Sequence, residues 1–127
     1  MIRLTVRGLP APQGSKRHVG GGRMVESSKA VGPWRDAVRT ETQRAIGTPM
    51  EGPVNIHLIF WLPRPASAPK RVKVPAKRPD LDKLVRSTLD GLTEGGAWRD
   101  DAQVVGLYAR KVFAAGEVGC NITLEEL

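Results

Sequence analysis

Cysteine is nearly missing from this sequence. Cys120 is the only one, so no internal disulfide can form and a cysteine-based zinc site has no ligand set. A reducing cytoplasm is the expected location. No apolar run approaches the roughly 20 residues that a membrane-spanning helix needs. The opening stretch Met1–Val6 alternates apolar and polar residues as a strand does, unlike an export signal. Aromatic residues make up 5% of the chain against a hydrophobic share of 40%, so the core must rest on Val, Leu, Ile and Ala. Gly20-Gly21-Gly22 lacks the spacing and the following Lys-Ser/Thr of a phosphate-binding loop, and no nucleotide cofactor is expected. The length of 127 residues fits one domain spanning 1–127.

Positive charge is what the chain does have. Twenty Lys and Arg against thirteen Asp and Glu give +7 and a sequence pI near 10.2. That excess suits either a solubilising surface or a polyanionic partner, whose condensed counterions are released when basic groups approach its phosphates. The charge is also patterned. Arg3, Arg7, Lys16, Arg17 and Arg23 fall between Met1 and Val25 with no acid among them. Arg64, Lys70, Arg71, Lys73, Lys77 and Arg78 fall between Pro63 and Pro79, again with none. Both stretches are rich in Pro or Gly and read as loops from which basic side chains reach a phosphate backbone.

Periodicity predicts a strand over 2–7, a long loop over 8–32, a helix over 33–46 and a strand over 53–62. After the Pro-rich basic loop come a helix over 81–93 and strands near 102–113 and 117–125, joined by a turn at Ala114-Ala115-Gly116. The order β-α-β-α-β-β predicts an α/β fold of the α+β, mixed-sheet kind: about four strands with two helices on one face.

Chemistry concentrates at the second helix. Leu81, Leu84, Val85, Thr88, Leu89 and Leu92 share one arc, while Asp82, Arg86 and Asp90 share another at i, i+4, i+8. Asp80 stands at the N-cap after Pro79, and Asp82 lies in the first turn, where the helix dipole favours a carboxylate. For these two acids alone, ordinary capping is a sufficient reading. Asp100-Asp101 forms a second acidic cluster just before a strand. If that strand starts beside the N-terminal end of the helix, Asp101 meets Asp80 and Asp82. Three converging carboxylates repel one another and call for a hard divalent cation such as Mg²⁺ or Mn²⁺.

The segments Arg78-Pro79-Asp80-Leu81-Asp82-Lys83-Leu84 and Ala97-Trp98-Arg99-Asp100-Asp101-Ala102-Gln103-Val104-Val105 resemble the RusA family of Holliday junction resolvases, found in bacteria and their phages. The resemblance is specific over about 78–105 and extends to the order of elements. It implies a homodimer that binds a four-way junction or related branched DNA and nicks two strands symmetrically, with Mg²⁺ or Mn²⁺ as cofactor. It also implies that Asp80, Asp82 and Asp101 are the essential metal-binding aspartates, with Asp100 a weaker candidate. Arg86 stands where the family carries a functional lysine. Arginine stays protonated and is no general base near neutral pH, so an electrostatic role is expected of it. Lys83 is a second departure, at a position where relatives often carry asparagine.

With Lys83, the expected DNA contacts are Lys16, Arg17, Arg23, Lys70, Arg71, Lys73, Lys77 and Arg78. A non-cutting junction- or duplex-binding protein would explain the basic loops but not three acids. A PD-(D/E)xK nuclease is excluded, since no acid is followed two residues later by lysine. Two histidines are too few for a histidine-metal nuclease. His57 is expected half-buried with a structural role, and His18 to touch phosphate or take part in catalysis. Trp34, Trp61 and Trp98 read as core or sheet-cover residues.

Overall fold

The computed structural model describes the backbone of residues 1–14, 16–18, 24–26 and 29–127, and the side chains of 1–14 and 29–127. Its strands are β1 (Ile2–Arg7), β2 (Lys16–His18), β3 (Met24–Glu26), β4 (Val54–Leu62), β5 (Val104–Phe113) and β6 (Gly119–Glu126). The helices are α1 (Val31–Ala45) and α2 (Leu81–Glu94), and a 3-10 turn covers Asp101–Gln103.

Four strands form one mixed sheet in the order β1-β6-β4-β5. β6 is antiparallel to both β1 and β4, whereas β4 and β5 are parallel. The expected order of sheet strands and helices holds. The stretch expected as an uninterrupted loop over 8–32 differs, because it contains the short antiparallel pair β2–β3, and α1 begins two residues before Pro33. Proline is tolerated there because the first four N–H groups of a helix have no intrahelical acceptor.

Alternation along the strands makes the core. Val54, Ile56, Leu58, Phe60 and Leu62 of β4 are buried, level with Cys120, Ile122 and Leu124 of β6, which in turn face Leu4 and Val6 of β1. Trp34 and Val38 of α1 and Leu84, Val85 and Leu92 of α2 join the same cluster, so both helices cover one face. Asn55 and His57 point to the other face and are exposed. His57 is therefore more open than expected. Its ring meets Tyr108 edge-on at 4.8 Å.

The two helices approach closely because α2 carries glycine at the crossing. A Cβ on Gly91 would stand 2.7 Å from the Val38 Cβ, and one on Gly95 would stand 2.6 Å from the Thr42 Cβ. The Trp34 indole donates to the Thr88 hydroxyl at 3.1 Å, and the Ser87 hydroxyl donates to the Ala11 carbonyl at 2.6 Å. These bonds set the rotation of α2 and hence the directions of its polar residues.

Parallel strands need a long crossover, and α2 supplies it between β4 and β5. The register runs from Val54 beside Val104 to Leu62 beside Phe113. Near its start β5 bulges: Asn55 pairs with Gly106, leaving Val105 as an extra residue.

Candidate active site

The N-terminal end of α2 lies at the Leu62–Phe113 end of the sheet. Lys111 fixes it there, its ammonium donating to the carbonyls of Lys77 and Pro79 at 2.9 Å each. Farther back, the Arg64 guanidinium donates to the carbonyls of Val72 and Pro69 at 2.7 Å each and stacks over the Phe113 ring at 4.9 Å. The Pro-rich loop is thus tied at two places. It leads through a cis Arg78–Pro79 peptide into the helix and holds Lys70, Arg71, Lys73, Lys77 and Arg78 exposed. None of these five is in an ion pair among the described residues.

Asp80 occupies the N-cap position with extended backbone, yet its side chain makes no capping hydrogen bond. Only the backbone carbonyl serves the helix, accepting from the Leu84 N–H at 3.1 Å. The carboxylate is exposed and lies 3.7 Å from the Lys83 ammonium. Asp82, also exposed, has no hydrogen bond or ion pair among the described residues. Capping therefore does not account for either carboxylate. At 100° per residue, Asp82, Arg86 and Leu89 fall on the flank of α2 roughly opposite Gly91 and Gly95, away from α1.

Asp100 and Asp101 separate sharply in role. The Asp100 carboxylate caps the 3-10 turn, accepting from the Ala102 N–H at 2.8 Å. The Gln103 side-chain oxygen Oε1 accepts from the backbone N–H groups of Arg99 and Asp100 at 2.9 and 3.1 Å. The Gln103 amide donates to the carbonyls of Met50 and Gly52 at 2.8 and 3.0 Å. Arg99 grips the Glu51 carboxylate at 2.7 and 2.9 Å and holds Glu51 below the usual carboxylate range. All this pins the corner. The exposed Asp101 carboxylate has no hydrogen bond or ion pair among the described residues.

That corner is nevertheless at the wrong end of α2 for a three-aspartate site within one chain. Because β4 and β5 are parallel, β5 starts near the C-terminal end of the helix. The 14 residues of α2 span about 21 Å. Among the described residues, no group of three His, Cys, Asp or Glu side chains is placed to hold a metal ion. The expected convergence of Asp80, Asp82 and Asp101 therefore does not occur within the chain. Asp101 comes instead within electrostatic reach of Asp90. Burial holds the Asp90 carboxyl above the ordinary range; Arg35 and Arg86 pull it back, and Glu94 and Asp101 push it up.

Of the other expected contacts, Lys16 and Arg17 lie on the backbone of β2, while their side chains, that of His18 and all of Arg23 lie outside the described residues. Lys111 was missed by sequence reasoning. Its signal is a single long cation level with Phe60, at an otherwise inward-facing position of β5. Trp34 and Trp98 are core residues as expected, and Trp61 is half-buried, its indole donating to the Asn121 side-chain oxygen Oδ1.

No helix among the described residues is long and apolar enough to cross a membrane. A search of curated proteins gave no match. A family model described as endodeoxyribonuclease RusA matches residues 7–125. The chain belongs to the RusA family of Holliday-junction-resolving endodeoxyribonucleases.

Proposed function

We propose that the protein is a homodimeric, structure-selective endonuclease that resolves four-way junctions and related branched DNA by paired symmetric nicks, with Mg²⁺ or Mn²⁺ as cofactor. The observation that carries this reading is the pair of exposed, uncapped carboxylates Asp80 and Asp82 at the foot of an exposed basic loop. A binding module gains nothing from two anions beside its DNA surface. A hydrolase does.

In this reading Lys70, Arg71, Lys73, Lys77, Arg78 and Lys83 hold the DNA backbone, as do Lys16, Arg17 and Arg23 of the N-terminal stretch. Hydrolysis adds a water oxygen to phosphorus, breaks one bridging P–O bond and leaves a proton on the departing sugar oxygen. Arg86, always cationic, balances the negative charge that grows on the phosphate in the transition state. Asp80, Asp82 and Asp101 are the assigned cation ligands. Among the described residues, one chain does not gather all three.

The experiment is cleavage of a synthetic four-way junction with Mg²⁺ and with chelator, comparing the wild type with Asp82→Asn while binding is measured in parallel. The expected result is Mg²⁺-dependent nicking that Asp82→Asn loses without losing junction binding. Tight binding by the wild type without nicking in Mg²⁺ or Mn²⁺ would leave a non-catalytic junction-binding protein.

A further inference from the structure

Both helices cover one face of the sheet, and the other carries no helix among the described residues. That bare face is not an ordinary solvated surface. Alternation lines up Arg3, Thr123, His57 and Tyr108 in one row across all four strands. Two residues farther along, Arg110 stands level with Ile59, and Trp61 follows on β4. Tyr108 is 57% exposed, and His57 is open as well. Their edge-to-face contact uses one face of one ring and leaves ring surface available on both. Trp61 is half-buried, its indole tied to Asn121, whose amide donates to the Thr5 hydroxyl at 3.3 Å. A ring held through its N–H to the next strand lies across the sheet with a face turned outward.

Charge favours an anion here. Arg3, Arg7 and Arg110 share this face with one strand acid, Glu125. Arg7 is paired with Glu117 at 3.0 Å, whereas Arg3 and Arg110 are in no ion pair among the described residues. A second copy packed on this face would set positive surface against positive surface. A DNA duplex matches the cations, but its bases are stacked on one another and offer the rings nothing. An acidic peptide likewise leaves the three rings without partners. An unpaired strand uses both features at once, since each base has an open π face and each link a phosphate. β4 rises about 3.3 Å per residue, so His57 and Trp61 stand about 13 Å apart, with room for more than one base between the two stacking points.

We propose that the bare sheet face binds single-stranded DNA, with Tyr108, His57 and Trp61 against unpaired bases and Arg3 and Arg110 on the phosphates. The site goes beyond the nuclease reading. It lies across the sheet from α2 and its carboxylates, so it holds a strand other than the one at Asp80 and Asp82. Branched DNA with an unpaired arm has such a strand, and a fully paired junction has none. The choice of DNA over RNA rests on membership of an endodeoxyribonuclease family.

The test is to titrate the full chain, in chelator, with an oligothymidylate of about 12 nucleotides and to read tryptophan emission. Trp34 and Trp98 are each 2% exposed, so quenching by stacked bases reports Trp61. Saturable quenching is expected. Tyr108→Ala should weaken binding about tenfold, the loss of one stacked base. Arg3→Glu, on the strand farthest from Tyr108, should weaken it severalfold and flatten its salt dependence. Both positions are exposed, and circular dichroism checks that both variants fold. An absence of quenching, or affinities within about twofold of wild type in both folded variants, overturns the proposal. So does equally tight competition by duplex DNA or by an RNA oligomer of the same length. Loss of binding when Lys70, Arg71 and Lys73 are replaced by alanine, with Tyr108→Ala and Arg3→Glu still binding as wild type, places the strand on the basic loop and overturns it too. Because no cleavage is read, the two readings fail separately. A wild type that is quenched by the oligonucleotide but nicks no junction loses the nuclease reading and keeps this site.

Discussion

Replacing Lys111 with methionine keeps a long unbranched stem against the sheet and deletes the ammonium that holds the carbonyls of Lys77 and Pro79. A hydrogen bond from a charged donor contributes about 1.5–3 kcal/mol net when shielded. One of these two bonds is exposed and the other only partly buried, so together they amount to about 2 kcal/mol. With a urea m-value of about 2 kcal/mol/M, the midpoint falls by roughly 1 M. The effect should be local before it is global. Amide exchange over Lys77–Leu84 accelerates while that of β4 and β6 changes little, because the loop is released and the central sheet is not. Nicking at saturating junction then drops more than binding, since Asp80 loses its fixed position while the exposed basic side chains remain. A midpoint within about 0.2 M of wild type, together with unchanged exchange over Lys77–Leu84, would refute the view that Lys111 fixes the start of α2.

Arg86→Lys is expected to retain most nicking and Arg86→Ala to lose it; full activity in Arg86→Ala removes the electrostatic role. Replacing any one of Lys70, Arg71 or Lys73 by alanine should weaken junction binding irrespective of sequence and flatten the log-log salt dependence by about one unit, as read in a filter-binding titration. An unchanged slope after all three replacements shows that the DNA lies elsewhere. Burial pushes the Cys120 thiol up to about 12, so iodoacetamide at pH 8 should leave the native protein unlabelled and modify it only in denaturant. Rapid native labelling at that pH would contradict the packing of β6 between β1 and β4.

Much of this architecture was legible in the residues themselves. The alternation Val54-Asn55-Ile56-His57-Leu58 marks a strand with one covered face, and the apolar arc of α2 marks a helix lying on it. The same alternation assigns His57 to the face opposite Leu58. Its exposure was not legible, because periodicity does not say whether a second layer covers that face. Sheet order was hidden as well: nothing local in Val104–Phe113 states that it pairs parallel to β4 rather than antiparallel to it. That one unreadable fact decides where Asp101 sits. The roles of Asp100 and Asp101 are also indistinguishable by residue type. They part only because Asp100 has the extended backbone of a cap and Gln103 answers it across the turn. The basic loop was readable as charge, but its two anchors, Arg64 and Lys111, bond to distant backbone carbonyls that no spacing rule reveals.

The position of β6 carries a kinetic consequence. It follows every other sheet strand along the chain, yet it lies between β1 and β4 and supplies the pairing for both. β4, α2 and β5 can associate across a shorter stretch of chain, whereas β1 has to wait for a segment more than a hundred residues away. Refolding is therefore expected to be slow for the protein's size. Its late phase should join β1 and β6 in one step, and a growing chain should stay unable to close its sheet until β6 has emerged from the ribosome.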